Sequence, residues 1–149
     1  MRLEDEIKQT AFRNEYHKLG VNIIYTANWL SHSHAKHCKE FDITPEQYNI
    51  LRILRGQHPK PATVNLLIER MLNKMSNASR LVEKLKKKGL VLRETSDADR
   101  RACDVRITKK GLSLLTELDK AESEWNNMIS HVSEQEAETI NALLDKLRK

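Results

Sequence analysis

Residues Lys74–Thr108 read KMSNASRLVEKLKKKGLVLRETSDADRRACDVRIT, and two periodicities follow one another within them. Leu81, Val82 and Leu85 recur at helical spacing and face a core, while Asn77, Arg80, Lys84 and Lys87 share the other side. Three lysines followed by Gly89 mark the end of that helix. Glycine tolerates the left-handed backbone of a helix exit, and cations favour the negative end of the helix dipole. Beyond Gly89 the period becomes two. Leu90, Leu92 and Glu94 alternate with Val91, Arg93 and Thr95, and Cys103, Val105 and Ile107 alternate with Asp104 and Arg106. The spacing predicts two short strands joined by SDADRRA, a charged tip with no large apolar residue to fold it inward.

Charge is unevenly distributed. Residues 74–110 hold twelve Lys or Arg and five Asp or Glu, a surplus of +7, whereas the rest of the chain carries −2. A basic surface helix beside a basic hairpin tip is the electrostatic footprint of a nucleic-acid binder, able to lay the helix in one groove and the loop in the next.

At 149 residues the chain fits a single domain with a real core. Charged residues make up 32% and aromatics 5%, with four glycines and three prolines, the composition of a mostly helical soluble protein. The acidic start MRLEDEIKQ is unlike a signal peptide, and no apolar run is long enough to span a bilayer. Cys38 and Cys103, far apart in such a chain, point to a reducing cytoplasm rather than to a disulfide.

Read in order, Phe12, Tyr16, Leu19, Ile23, Ala27 and Leu30 form one face of a long helix over 4–39, with a break near Gly20. Thr44-Pro45-Glu46-Gln47 is a capping box that opens a second helix. GQHPKP at 56–61 is a linker, and 62–71 reads as a short helix turning into the basic one. Two such helices make a helix-turn-helix. Thr108 caps a long helix to about Ser130 that includes Trp125. Ser133 to Glu136 is a second capping box, and Ile140, Leu143, Leu144 and Leu147 line a final helix. The terminal helices carry more apolar stripe than a small lobe needs. Phe12, Tyr16, Leu19, Trp125, Ile140, Leu143, Leu144 and Leu147 are therefore expected to pair with a second copy as a homodimer.

ITPEQYNILRIL, LIERM, SRLVEKLKKKGLV and DADRRACDVRITKKG, in that order, resemble signature segments of the multiple antibiotic resistance regulator (MarR) family over residues 43–115. The most specific piece is Asp99-x-Arg101, followed by Val105-x-Ile107-Thr108 and Gly111. The resemblance implies a mainly α fold with a small β-hairpin wing, in one domain over 1–149. Residues 41–109 would form a winged helix-turn-helix lobe, and 1–40 with 110–149 a helical dimerisation region. It further implies a cytoplasmic homodimer that binds double-stranded DNA at a pseudo-palindromic operator, more often repressing than activating. A small-molecule effector would bind between the dimer helices and the lobe. By the same resemblance Arg101 enters a minor groove from the wing tip, beside Arg100, and Asp99 fixes its guanidinium.

Groove chemistry gives the remaining roles. Asn77, Ser79 and Arg80 lie where a recognition helix meets base edges, asparagine suiting adenine and arginine guanine. Ser76 reads either as an N-cap or as a contact, and Arg80 either as a base or as a phosphate contact. Lys84, Lys87, Arg93 and Arg106 read as phosphate contacts or surface charges. A competing constellation is SHSHAKHC at 31–38. His34, His37 and Cys38 share a helix face at spacings that suit zinc, with His17 or His131 as a further ligand, and either cysteine could serve a redox role. Histidines near a helix end are more often solvated, so no metal and no cofactor is expected. No nucleophile–base pair or glycine-rich phosphate loop suggests an enzyme. A helical adaptor that has kept the fold without DNA binding would leave the charge concentration unexplained.

Overall fold

A computed structural model describes residues 2–95 and 103–149, and only the backbone of 121–128. The chain runs α1 (Leu3–Glu6), α2 (Glu15–Glu40), α3 (Pro45–Gln57), β1 (Ala62–Thr63), α4 (Val64–Arg70), α5 (Ala78–Lys87), β2 (Val91–Thr95), β3 (Cys103–Ile107), α6 (Lys109–Ile129) and α7 (Glu134–Leu147). The fold is mainly helical with a small antiparallel sheet of order β1-β3-β2. No helix among the described residues is long and apolar enough to cross a membrane.

Side-chain caps set most helix starts. Thr44 and Gln47 form the expected capping box at α3, with Pro45 at its first position, and Ser133 and Glu136 form another at α7. Thr108 Oγ1 accepts the Gly111 N–H at 3.1 Å to open α6. The end of α5 is equally specific. Gly89 has φ +71°, its N–H donates to the Lys86 carbonyl, and the Leu90 N–H reaches back to Leu85 at 3.0 Å. These paired bonds satisfy the carbonyls left open by the last turn, while Leu90 buries itself beyond them.

Three expectations need correction. The N-terminal helix does not run from residue 4. α1 stops at Glu6, Asn14 caps α2 through the His17 N–H, and Phe12 lies ahead of the helix, edge-on to His17. α2 then passes through Gly20 unbroken, because a single helical glycine weakens a helix of this length without ending it. Finally, 62–71 is not all helix. Ala62 and Thr63 form β1, paired with Val105 and Asp104, and Thr63 also caps α4 through the Leu66 N–H. A two-residue strand carries no visible period, so the third strand escaped the sequence reading.

The core lies where α3, α5 and α6 meet the sheet. Ile50, Leu51 and Leu54 of α3, Leu67 of α4, Val82 and Leu85 of α5, Val91, Val105, and Leu115 and Leu118 of α6 are all buried there. Fully burying a side chain of this size contributes about 1.5–3 kcal/mol, so these residues outweigh the surface ion pairs. α6 is also tied to α3 by Asp119, which receives hydrogen bonds from both Arg52 (2.9 Å) and Arg55. The short α1 is held on α2 by Lys18 donating to Glu4 at 2.6 Å and by Tyr25 donating to Glu6 at 2.9 Å.

The junction between sheet and α6 leaves no room for a side chain at Gly111. A Cβ there would press on the Leu90 carbonyl oxygen and lie 2.7 Å from Ile107 Cγ1. Gly111→Ala is therefore expected to destabilise the fold by about 1–3 kcal/mol in urea unfolding at fixed protein concentration. Gly56→Ala, whose new methyl meets nothing within 4 Å, is the control and should be neutral or stabilising. Equal effects of the two would remove the close approach as the reason for glycine at 111.

Candidate nucleic-acid interface

α5 divides its residues between two environments. Ala78, Val82 and Leu85 are buried, Leu81 is half-buried, and Ser79, Arg80, Lys84, Lys86 and Lys87 are exposed. Ten residues give a rod about 15 Å long, and an α-helix with its side chains is about 10–12 Å across, which suits the width of a DNA major groove. The apolar side anchors the rod, so the polar side is free to present donors outward.

The helix start differs from one reading above. Asn77, not Ser76, is the N-cap: its Oδ1 accepts the Arg80 N–H at 2.9 Å, and Ser76 is half-buried one residue earlier. One lone pair of the Asn77 oxygen is thus already committed, while its amide nitrogen still projects from an exposed residue. The turn into α5 is fixed by two more asparagines. Asn49 accepts the Leu72 N–H at 2.9 Å and Asn73 accepts the Met75 N–H at 3.0 Å. Lys74 caps the carbonyls of Ile68 and Glu69 at the end of α4. That turn leaves Met75 93% exposed beside the first residue of α5. Sequence reasoning passed over Met75, because a methionine outside any periodic stripe gives no signal.

Arg93 also has a specific place. It donates to Glu83 Oε1 at 2.6 Å and to Cys103 Sγ at 3.7 Å, tying β2 and β3 to α5. The guanidinium holds the Glu83 carboxyl below its ordinary pKa. Arg93 thus joins the hairpin to the helix, whereas Lys84 and Lys87 form no ion pair among the described residues. Arg106 donates to the Pro59 carbonyl at 2.9 Å. Asp99, Arg100 and Arg101 lie outside the described residues, although the strands leading to and from them pair in full register, Val91 with Ile107 through Thr95 with Cys103.

The histidine–cysteine stretch does not converge on a metal-holding group among the described residues. His34 packs edge-on to Tyr48 of α3 at 5.1 Å, joining α2 to α3, and His37 packs edge-on to Phe41, the residue that ends α2, at 5.5 Å. Cys38 is fully buried, and burial pushes its thiol up to about 11. A thiol so rarely ionised at neutral pH is a poor nucleophile. Brief alkylation with iodoacetamide at pH 8, read by mass spectrometry, should label Cys103 on the native protein and spare Cys38. Both should react in denaturant. Native labelling of Cys38 would contradict its burial.

The expected dimerisation residues are distributed unevenly over the surface. Tyr16 is 85% exposed, Leu143 60%, and Leu19, Ile140 and Leu147 are exposed as well, while Phe12 and Leu144 are half-buried. α7 has no buried residue, and the side chain of Trp125 lies outside the described residues.

The chain matches the MarR family profile over residues 41–102. It is 30% identical over 114 residues to the HTH-type transcriptional regulator MhqR of Bacillus subtilis, an overlap of 75% of this chain and 77% of that protein. Among solved structures, the MepR–DNA complex of S. aureus superposes with a TM-score of 0.76 at 23% identity, over 92% of this chain and 97% of that one. The organohalide-sensing regulator RdhR in its 2,4-dichlorophenol-bound form gives a TM-score of 0.80 at 18% identity, over 94% and 85%. With an amphipathic basic helix, a paired hairpin and a matching profile over the same lobe, the chain belongs to the MarR family.

Proposed function

We propose that this chain is a dimeric, sequence-specific transcriptional regulator of double-stranded DNA, acting in the cytoplasm as a repressor at a pseudo-palindromic operator. The observation that carries the reading is the division of α5. Its apolar side is consumed by the core, and its outer side offers Ser79, Arg80, Lys84 and Lys87 with no packing role. The relatives support it, since one is a transcriptional regulator and another was solved on DNA. In this reading Arg80 and the free amide of Asn77 meet base edges, Ser76 and Ser79 lie alongside, and Lys84 and Lys87 meet phosphates. Met75, exposed at the mouth of the turn, suits a thymine methyl. Arg101 at the wing tip reaches a minor groove, where narrow A·T-rich segments attract arginine. In this reading Asp99 orients the Arg101 guanidinium, and Arg100 adds a second cation for the DNA.

The exposed apolar stripes of α2 and α7 support a homodimer, which would present two copies of α5 to two half-sites. The effector that the family resemblance implies would act at the junction between the helical region and the lobe, where Arg52 and Arg55 meet Asp119 and where His34 meets Tyr48. The RdhR complex with a chlorinated phenol supports a ligand of aromatic type.

Two measurements test this reading. Fluorescence anisotropy across a salt series, with operator and random duplexes, should show Arg101→Ala weakening operator binding about tenfold or more. Lys87→Ala should weaken both duplexes alike and lower the salt slope by about one. Asn77→Ser keeps the helix cap and removes the amide, so it should cost operator affinity with little change on random DNA. Unchanged binding by Arg101→Ala would remove the wing, and equal losses on both duplexes for Asn77→Ser would remove the base contact. For assembly, light scattering should give a dimer that Leu143→Glu weakens; a wild-type monomer at micromolar concentration would contradict it.

A further inference from the structure

Met75 is the most exposed large apolar side chain among the described residues, at 93%. A lone apolar residue on a surface means little by itself. Its place in the turn between α4 and α5 is what gives it meaning. Met75 follows Met71 by four residues, so a continued α4 would bury it on the face where Met71 is buried. The chain instead leaves helical geometry at Met71, with ψ 139°, and α5 begins only at Ala78.

The turn is nevertheless held firmly. Asn73 Oδ1 accepts the Met75 N–H at 3.0 Å, and the Asn73 carbonyl accepts the Ser76 N–H at 3.3 Å. Asn49 of α3 accepts the Leu72 N–H at 2.9 Å. Both sequence neighbours of Met75 are turned toward the protein: Lys74 Nζ caps the Ile68 and Glu69 carbonyls at the end of α4, and Ser76 is half-buried. The backbone is thus fixed while the Met75 side chain projects, two residues ahead of the Asn77 cap. With Lys74 folded back, the group offered outward at this point is neutral and apolar.

What such a group can recognise is narrow. A thioether side chain neutralises no phosphate, so it adds nothing to the salt-dependent binding that every duplex shares. Along the major groove, the thymine C5-methyl is the one apolar feature of the base edges. Methionine is unbranched and polarisable, and its three torsions adapt to a small apolar target. We propose, resting on the DNA reading above, that Met75 determines specificity by touching the C5-methyl of a pyrimidine near the base pair met by Asn77. Two residues of chain span at most about 7 Å, and successive base pairs lie about 3.4 Å apart. The methyl therefore lies within about three base pairs of the Asn77 contact. Met75 contributes to the choice of sequence, whereas Lys84 and Lys87 contribute to affinity for any duplex.

The test uses the full chain and a duplex that it enriches from a random-sequence library. Each thymine is replaced in turn by deoxyuridine, which removes only the methyl, and binding is followed by fluorescence anisotropy. For the wild type, one such replacement in each half-site should weaken binding about fourfold, the worth of one buried methyl. That thymine should lie within about three base pairs of the position at which Asn77→Ser relaxes discrimination. Met75→Ala should bind the thymine and deoxyuridine duplexes alike, with an unchanged urea midpoint, because so exposed a side chain has little packing to lose. Met75→Lys should also bind them alike, while gaining affinity for a random duplex and steepening its salt dependence by about one. Leu72→Ala removes another exposed apolar group of the turn, five residues from the cap, and should keep the fourfold preference. No deoxyuridine-sensitive thymine in the wild type, or a preference that survives Met75→Ala, would overturn the role of Met75 and leave the DNA reading standing. A preference lost in Leu72→Ala as well would assign it to the shape of the turn and overturn the direct contact. Failure to enrich or bind any duplex would overturn the DNA reading, and this role with it.

Discussion

The seating of Val82 and Leu85 in the core is the constraint on which the rest of the structure depends. These two side chains hold α5 against α3 and the sheet, and truncating either would cost about 2–5 kcal/mol. Because they lie on one side of a ten-residue helix, the other side has no choice but to face outward. The helix is also bounded sharply: Asn77 caps its start, and Gly89 turns the chain out at its end. From Gly89 the chain passes directly into β2, and Arg93 then reaches back to Glu83. Helix and hairpin are therefore one mechanical unit, which is what a surface meeting two adjacent grooves requires.

A second level of organisation links that unit to the long helices. Asp119 of α6 receives hydrogen bonds from two arginines of α3, and Thr108, which caps α6, also donates to the Gly89 carbonyl at 2.8 Å. A displacement of α6 would thus be felt both at α3 and at the exit of α5. The apolar stripes of α2 and α7 remain on the surface of the single chain, where they suit pairing with a second copy. In the proposed dimer the spacing of the two α5 helices would be set by these stripes. Any ligand at the Arg52–Arg55–Asp119 junction would act on that spacing rather than on base contacts directly.

The elements legible in the sequence were those with a repeated period or a side-chain signature. The capping boxes at Thr44 and Ser133, the cap at Thr108 and both hairpin strands appear where their residues predicted them. What escaped depends on partners distant in sequence. β1 exists because Ala62 and Thr63 find Val105 and Asp104, some forty residues away. Arg93 reads as a phosphate contact or a surface charge until Glu83 is seen beside it. The choice between Ser76 and Asn77 as cap turns on a one-residue shift of the helix start, and both residue types are good caps.

The central claim is that the outer face of α5 meets DNA in a two-fold arrangement. Hydroxyl-radical footprinting of genomic fragments that the protein retains tests it most directly. The expected pattern is two protected patches on one face of the duplex, their centres about one helical turn or a small multiple apart, related by an approximate dyad. Uniform protection without periodicity, or none at all from a folded and dimeric protein, would contradict the account.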